Sequence, residues 1–280
     1  MIDHYQEALL KLIEQGILDR NSRILVGCGG KHDRDTLLAL GFTNVTISNL
    51  DVRVDASHFA PYAWSFQDVE NLTFKDGEFD FCVVHDGLHH CQSPHRGLLE
   101  LYRVARNGLL IFEPRDTLLS RLGVKLNFGQ EYEVGAVFDN DSIYGGVRNT
   151  GVPNYIYRWT EREIEKTIAS NAPWARHRFI YFYRMRIPWG RLRLLKNKLW
   201  LAGMICALPA LRLFTWIFPR QSNTFGFVVL KPDAQRDVHP WLERKNGDLT
   251  LNSAWFSRRY RKVAPANSGP TRPDTQCLEK

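Results

Sequence analysis

Residues 23–30 read Arg23-Ile24-Leu25-Val26-Gly27-Cys28-Gly29-Gly30. A short apolar run that breaks into glycines is a strand ending in a tight turn. Asp33 to Leu40 then carries a helical pattern, and Gly41 supplies the C-cap. Strand, glycine turn and helix in that order open a nucleotide-binding sheet. Glycines let the backbone approach a ligand closely, and such ligands sit at the carboxyl ends of parallel strands. Two phosphate-binding versions are excluded. A dinucleotide fingerprint needs a third glycine three residues after Gly29, where His32 stands, and a P-loop needs Gly-Lys-Ser/Thr, which is absent.

Outward from this turn the same alternation continues. Val45–Ser48 reads as a second strand running into Asn49-Leu50-Asp51, and an aromatic-rich loop follows. Phe79–Val84 is a strand, His95 to Ala105 a helix, and Gly108–Phe112 a strand. Strands alternating with helices predict an α/β fold: a doubly wound, Rossmann-like, mostly parallel sheet. Before it, residues 2–18 place Tyr5, Ala8, Leu9, Leu12, Ile13 and Ile17 at helical spacing, as a helix covering the sheet does. After it, Thr160-Glu161-Arg162-Glu163 has the form of a capping box and starts a helix through Ile168. His177–Arg186 and Thr224–Leu230 are β-rich runs with a basic, apolar helical stretch between them.

Four further segments, in order, carry a resemblance: Leu72-Thr73-Phe74-Lys75-Asp76-Gly77-Glu78-Phe79-Asp80; Leu88-His89-His90 with Pro94; Leu99-Glu100-Leu101-Tyr102-Arg103-Val104; and Gly108-Leu109-Leu110-Ile111-Phe112-Glu113-Pro114. Together with the glycine turn they resemble class I S-adenosylmethionine-dependent methyltransferases, the small-molecule group typified by ubiquinone and menaquinone biosynthesis. The resemblance spans residues 21–116. It implies a sheet whose last strand is antiparallel, with the helical insertion placed before that strand, and S-adenosyl-L-methionine as cofactor. It also implies roles. Gly27, Cys28 and Gly29 would lie under the methionine portion. The acidic residue that ends the second strand in the family aligns here with Asn49, a departure, and Asp51 two residues on is the better holder of two ribose hydroxyls. Asp68, with Val69 beside it, would meet the adenine amino group, and His85 and Asp86 would face the methyl-donor pocket.

Methyl transfer asks mainly for proximity and alignment. A hydroxyl acceptor also needs a base, for which His89 and His90 are candidates, with Glu113 and Asp116 as alternatives. Tyr144, Arg148, Tyr155 and Arg158 fall in one aromatic and amide-rich stretch and suit a polar or anionic small molecule, such as a sugar or other biosynthetic intermediate. Alternative readings are a lipid-linked or membrane-delivered acceptor and a non-catalytic cofactor-binding module. Five cysteines, an odd number without a CxxC pair, point to a reducing cytosol and to no metal site. The first residues lack the pattern of a signal peptide.

The net charge of +7 is unevenly placed. Residues 184–220 hold eight Lys/Arg and no Asp or Glu, and residues 234–280 are net +4. Subtracting this +8 and +4 from +7 leaves the remainder at −5, so the catalytic region is mildly acidic and no nucleic-acid partner is expected. Leu199–Phe218 has one charge, Arg212, and a central Pro209. A bent helix pair fits it, either as a packing cap or homodimer contact or as a peripheral contact with an anionic membrane. The expected organisation is a methyltransferase domain over 1–233, with core 21–116, substrate-side insertion 117–160 and basic apolar insertion 187–220. A basic tail, 234–280, follows, disordered over 264–280. The expected location is cytoplasmic, peripheral at the membrane in the second case.

Overall fold

The computed structural model describes residues 3–187, 189, 198–233 and 237–260. The expected disordered stretch 264–280, and residues 188 and 190–197 of the basic insertion, lie outside them.

Helix α1 (His4–Glu14) is capped by Asp3, whose carboxylate accepts from the Gln6 N–H at 2.8 Å. Its Tyr5, Ala8, Leu9 and Leu12 are buried. The next elements are β1 (Ile24–Val26), α2 (Lys31–Ala39), β2 (Val45–Asn49), α3 (Ala56–Phe59), β3 (Ala63–Phe66), β4 (Phe79–His85) and α4 (Pro94–Val104). Then come β5 (Ala105–Pro114), α5 (Leu118–Lys125), α6 (Val134–Phe138), α7 (Glu161–Asn171), β6 (Arg178–Arg184), α8 (Lys198–Ile217) and β7 (Thr224–Leu230). A hairpin, β8 (Leu242–Lys245) and β9 (Asp248–Leu251), and α9 (Ser253–Arg259) complete the described chain.

The seven-stranded sheet has the order β3-β2-β1-β4-β5-β7-β6. β1 pairs in parallel with β2 and β4, β4 with β5, and β7 runs antiparallel between β5 and β6. Alternation along each strand builds a core on either face. Leu25, Val84, Leu98, Leu101, Ile111 and Phe225 pack with α4 and α7 on one face. Ile24, Val26, Leu9, Leu12 and Leu37 pack on the other. Each such buried side chain contributes about 1.5–3 kcal/mol.

The structure differs from the sequence reading at β3, at the β8–β9 hairpin and at α8. β3 lies in the aromatic loop; it is an edge strand, and its residues are exposed or half-buried, so the apolar alternation that marks a strand is missing. The β8–β9 hairpin turns on Asn246 and Gly247, both at positive φ (56° and 95°), the pairing that tight hairpins favour. α8 is one helix through Pro209 and not a bent pair. The ring removes one N–H, and the surrounding Leu, Ala and Met are strong helix formers. Among the described residues no helix is long and apolar enough to cross a membrane.

Candidate functional site

The strand order reverses at β1, where β2 leaves to one side and β4 to the other, and a crevice opens at such a switch point. The turn is pinned to both neighbours. Gly27 N–H donates to the Val83 carbonyl at 2.9 Å and Gly29 N–H to Ser48 at 2.8 Å. The crevice has a cavity volume of about 220 Å³ and is lined by Cys28, Asn49, Asp51, Asp68, Val69 and Asp86, with Gly87, His90 and Arg148 among the rest. Gly27, Gly29 and His85 do not line it. A Cβ on Gly29 would stand 2.7 Å from Ile47 Cγ2, so this glycine is required by packing against β2. Cys28 and Asp86 both adopt φ 53°, a left-handed conformation that aims the loop at each strand end.

Three acidic groups of the crevice, Asp51, Asp68 and Asp86, are engaged by arginines. Arg53 donates to both oxygens of Asp51, at 2.8 and 2.7 Å, and holds its carboxyl below the usual range. Arg148 Nη2 meets Asp68 at 2.6 Å. Asn49 donates to the Gly29 carbonyl at 2.6 Å and accepts from the Asp51 N–H, which makes it a brace between the two loops. Arg148, expected on the acceptor side, therefore lines this crevice, and Tyr144 stands outside its lining with its ring under Arg53 at 4.3 Å. Tyr155 and Arg158 line a separate cleft with Asp116, Arg121 and Glu163. One stretch of sequence thus divides between two places.

His89 and Glu113 are buried together. Glu113 accepts from Gly87 N–H at 3.0 Å and Leu88 N–H at 2.6 Å, and its other oxygen meets His89 Nδ1 at 2.7 Å. His89 Nε2 and His90 Nε2 each lie 3.4 Å from Glu133 Oε2. Burial disfavours charge on His89, but the Glu113 and Glu133 carboxylates outweigh it and raise its pKa well above 6.5. Burial, reinforced by the His89 charge, lowers that of His90. Burial also opposes ionisation of Glu133, yet His89 draws it down to about 2. His89, His90 and Glu133 bring three potential ligand atoms within 4.8 Å of one another, a set that suits a divalent ion in size, although each atom already has a partner within the set.

A second crevice, with a cavity volume of about 500 Å³, opens on the other side of Asp86. His4 and Tyr5 of α1, His32, His85, Arg184, Arg186 and Thr224 line it. Tyr5 stacks on His85 at 4.9 Å, and His32 lies 5.2 Å from the same ring. Arg186 Nη1 reaches Asp86 at 3.1 Å. His4 Nε2–H donates to the Phe182 carbonyl at 3.3 Å, and burial lowers the His4 pKa. The sequence reading missed His4, His32, Arg184 and Arg186. They come from α1, the start of α2, and the end of β6 and the residues just past it, distant in sequence, and no local spacing joins them.

Residues 24–112 match the family model described as a methyltransferase domain. No curated protein matches the chain. Among solved structures, a SAM-dependent methyltransferase from Thermotoga maritima shares 13% identity over 81% of this chain and 91% of its own, at a TM-score of 0.45. The YcgJ protein of Bacillus subtilis shares 12% over 83% and 100%, at 0.48. Magnesium protoporphyrin IX methyltransferase of Synechocystis, solved with bound SAH, shares 14% over 81% and 83%, at 0.42.

Proposed function

We propose that this chain, whose residues 24–112 are a class I S-adenosylmethionine-dependent methyltransferase domain, methylates a polar, anionic small molecule held between α1 and the strand ends of β6 and β7. The donor set of the switch-point crevice fits the cofactor. S-Adenosylmethionine carries an ammonium, a sulfonium, a ribose diol and an adenine amine, all of which seek acceptors, and Asp51, Asp68 and Asp86 present carboxylates there. Asp51 would hold the ribose and Asp68, beside Val69, the adenine. Their present partners, Arg53 and Arg148, are 41% and 48% exposed, so both arginines can turn to solvent when a ligand arrives. Bound there, the cofactor supplies an activated methyl group.

The rest falls to side chains of the second crevice. Arg184 and Arg186 hold an acidic group on the acceptor. His4 is the best-placed base: burial keeps it neutral, and its Nε2–H is committed to Phe182, which leaves Nδ1 free to take a hydroxyl proton. Glu113 acts as a positioning residue, because it accepts from the Gly87 and Leu88 N–H groups and so fixes the loop that carries Asp86, and His89 in turn holds Glu113. His90, which lines the cofactor crevice, remains neutral beside it.

One observation carries this reading: Asp86 lines both crevices, so a methyl donor in the first and an acceptor in the second would meet at one residue. Calorimetric titration with S-adenosylhomocysteine, followed by transfer of labelled methyl to a panel of neutral and anionic hydroxyl compounds, tests it. Binding at micromolar ligand and labelling of anionic acceptors are expected. Absence of binding, or a preference for uncharged acceptors, would refute it. A second reading, a lipid-linked acceptor with a polar head, is favoured by the exposed apolar helix α8, which lies in the segment between Arg184 and Thr224, both of which line this crevice.

A further inference from the structure

α8 is a strange helix to leave in water. Its twenty residues, Lys198–Ile217, are mostly apolar, yet among the described side chains 201–217 only Thr215 is buried. Ile205, Leu213, Phe214, Trp216 and Ile217 are exposed, Trp216 to 79%, and Phe218 continues the surface. The turn Pro219–Gln221 contacts α5, whose Leu118, Leu122 and Leu126 recur every four residues along one exposed stripe. Apolar area on this scale marks a covered surface. Lys125 on α5 and Arg212 on the helix add exposed positive charge, beside Arg121 and Arg220, which pair with Asp116 and Glu161.

We propose that the α8–α5 surface lies in the interface of an anionic phospholipid bilayer. Four observations select this occupant. Residues 184–220 hold eight Lys/Arg and no acidic residue, which complements an anionic surface. The same charge argues against a second copy of the chain, since a two-fold contact would set one basic segment against its own twin. Trp216, Phe214 and Phe218 are the residue types that anchor at the headgroup level. Finally, the segment leaves the sheet after Arg184 and returns at Thr224, which are register partners on adjacent strands. Both ends therefore lie at one edge of the sheet, as a helix lying in the interface requires and a crossing one does not.

That edge is where the second crevice opens, for Arg184, Arg186 and Thr224 line it. A bilayer seated on α8 would thus present headgroups beside two arginines, a consequence that rests on the acceptor crevice proposed above. The docking itself does not depend on it.

Flotation of the full chain with vesicles decides the matter, using phosphatidylcholine alone and phosphatidylcholine mixed with phosphatidylglycerol, at low and high salt. At least tenfold greater recovery with the anionic vesicles at low salt is expected, and about 0.5 M salt should abolish most of it because the Debye length shrinks several-fold. Leu213→Ala combined with Trp216→Ala should lose most of the recovery while binding S-adenosylhomocysteine as the parent does. Equal recovery from neutral and anionic vesicles, no recovery, or a doubled mass in light scattering that the double variant reverts would overturn the proposal. Failure of S-adenosylhomocysteine binding in the parent, with flotation intact, would instead count against the methyl-transfer reading.

Discussion

Arg186 meets Asp86 at 3.1 Å, and the carboxylate it holds borders both the crevice at the sheet's switch point and the crevice under α1. The pair makes Asp86 the seam of the molecule. An acidic acceptor that drew Arg186 away would release Asp86 toward the cofactor side, so acceptor and cofactor are expected to influence each other's affinity through this contact.

Asp51 and Arg53 give a direct test of the cofactor crevice. Asp51→Ala is expected to weaken S-adenosylhomocysteine by about 1–3 kcal/mol, the scale of losing hydrogen bonds to a charged group. Arg53→Ala should act the opposite way, because it removes the internal competitor for the same carboxylate. Calorimetry on both variants is sufficient. Unchanged affinity in Asp51→Ala would move the ribose contact to Asn49.

His4 should govern turnover and not cofactor affinity. His4→Ala is expected to lower kcat by about 10²–10⁴-fold, the usual contribution of a positioned base. The base works only when neutral, and burial depresses its pKa below 6.5. The acid limb of the kcat profile should therefore lie below pH 6.5, with activity constant above it. A limb at or above that value would shift the role to another imidazole of the crevice.

Glu113→Gln separates positioning from proton transfer. The carboxylate is fully buried and faces a charged His89, so neutralising it leaves that charge short of one partner. A loss of about 3–5 kcal/mol in urea unfolding is expected. Once corrected for the folded fraction, the acid limb of the pH–rate profile should stay where it is. A displaced limb would make Glu113 a proton carrier.

His177 predicts an acid sensitivity remote from the site. The Tyr102 hydroxyl lies 2.7 Å from its Nε2, and burial, with Lys231 nearby, lowers the His177 pKa to about 4. The unfolded chain then takes up a proton that the folded chain refuses. This contribution is complete above pH 6.5 and is lost as pH falls from 6.5 toward 4, to the extent of about 1–3 kcal/mol after allowance for partial exposure. His177→Gln should flatten the stability profile over that range. Parallel profiles for variant and parent would show that another group dominates.

Much of the fold was legible because it is written locally. Ile24-Leu25-Val26 before a glycine turn, and Gly108–Phe112 before Glu113-Pro114, are buried on both faces, so their unbroken apolar runs mark central parallel strands. β3 was not legible, since an edge strand with half-wet faces has no such run. The Asn246-Gly247 turn carried a signal that the tail's polar composition obscured.

The sequence by itself determined the strand–turn–helix alternation, the acidic residues near the ends of β2 and β4, and the concentration of positive charge in 184–220. These depend on residues a few positions apart. Only the tertiary structure decided which side chains share a crevice. It divided Tyr144 and Arg148 from Tyr155 and Arg158, enclosed Glu113 behind the loop it holds, and assembled His4, His32, His85, Arg184 and Arg186 around Asp86. The reason is geometric. A doubly wound sheet gathers the carboxyl ends of parallel strands at one edge, and β6, which runs the same way two places beyond β5, adds its own end to them. Residues up to 222 positions apart, Asp3 and Phe225, line one crevice there, a separation that no sequence period spans.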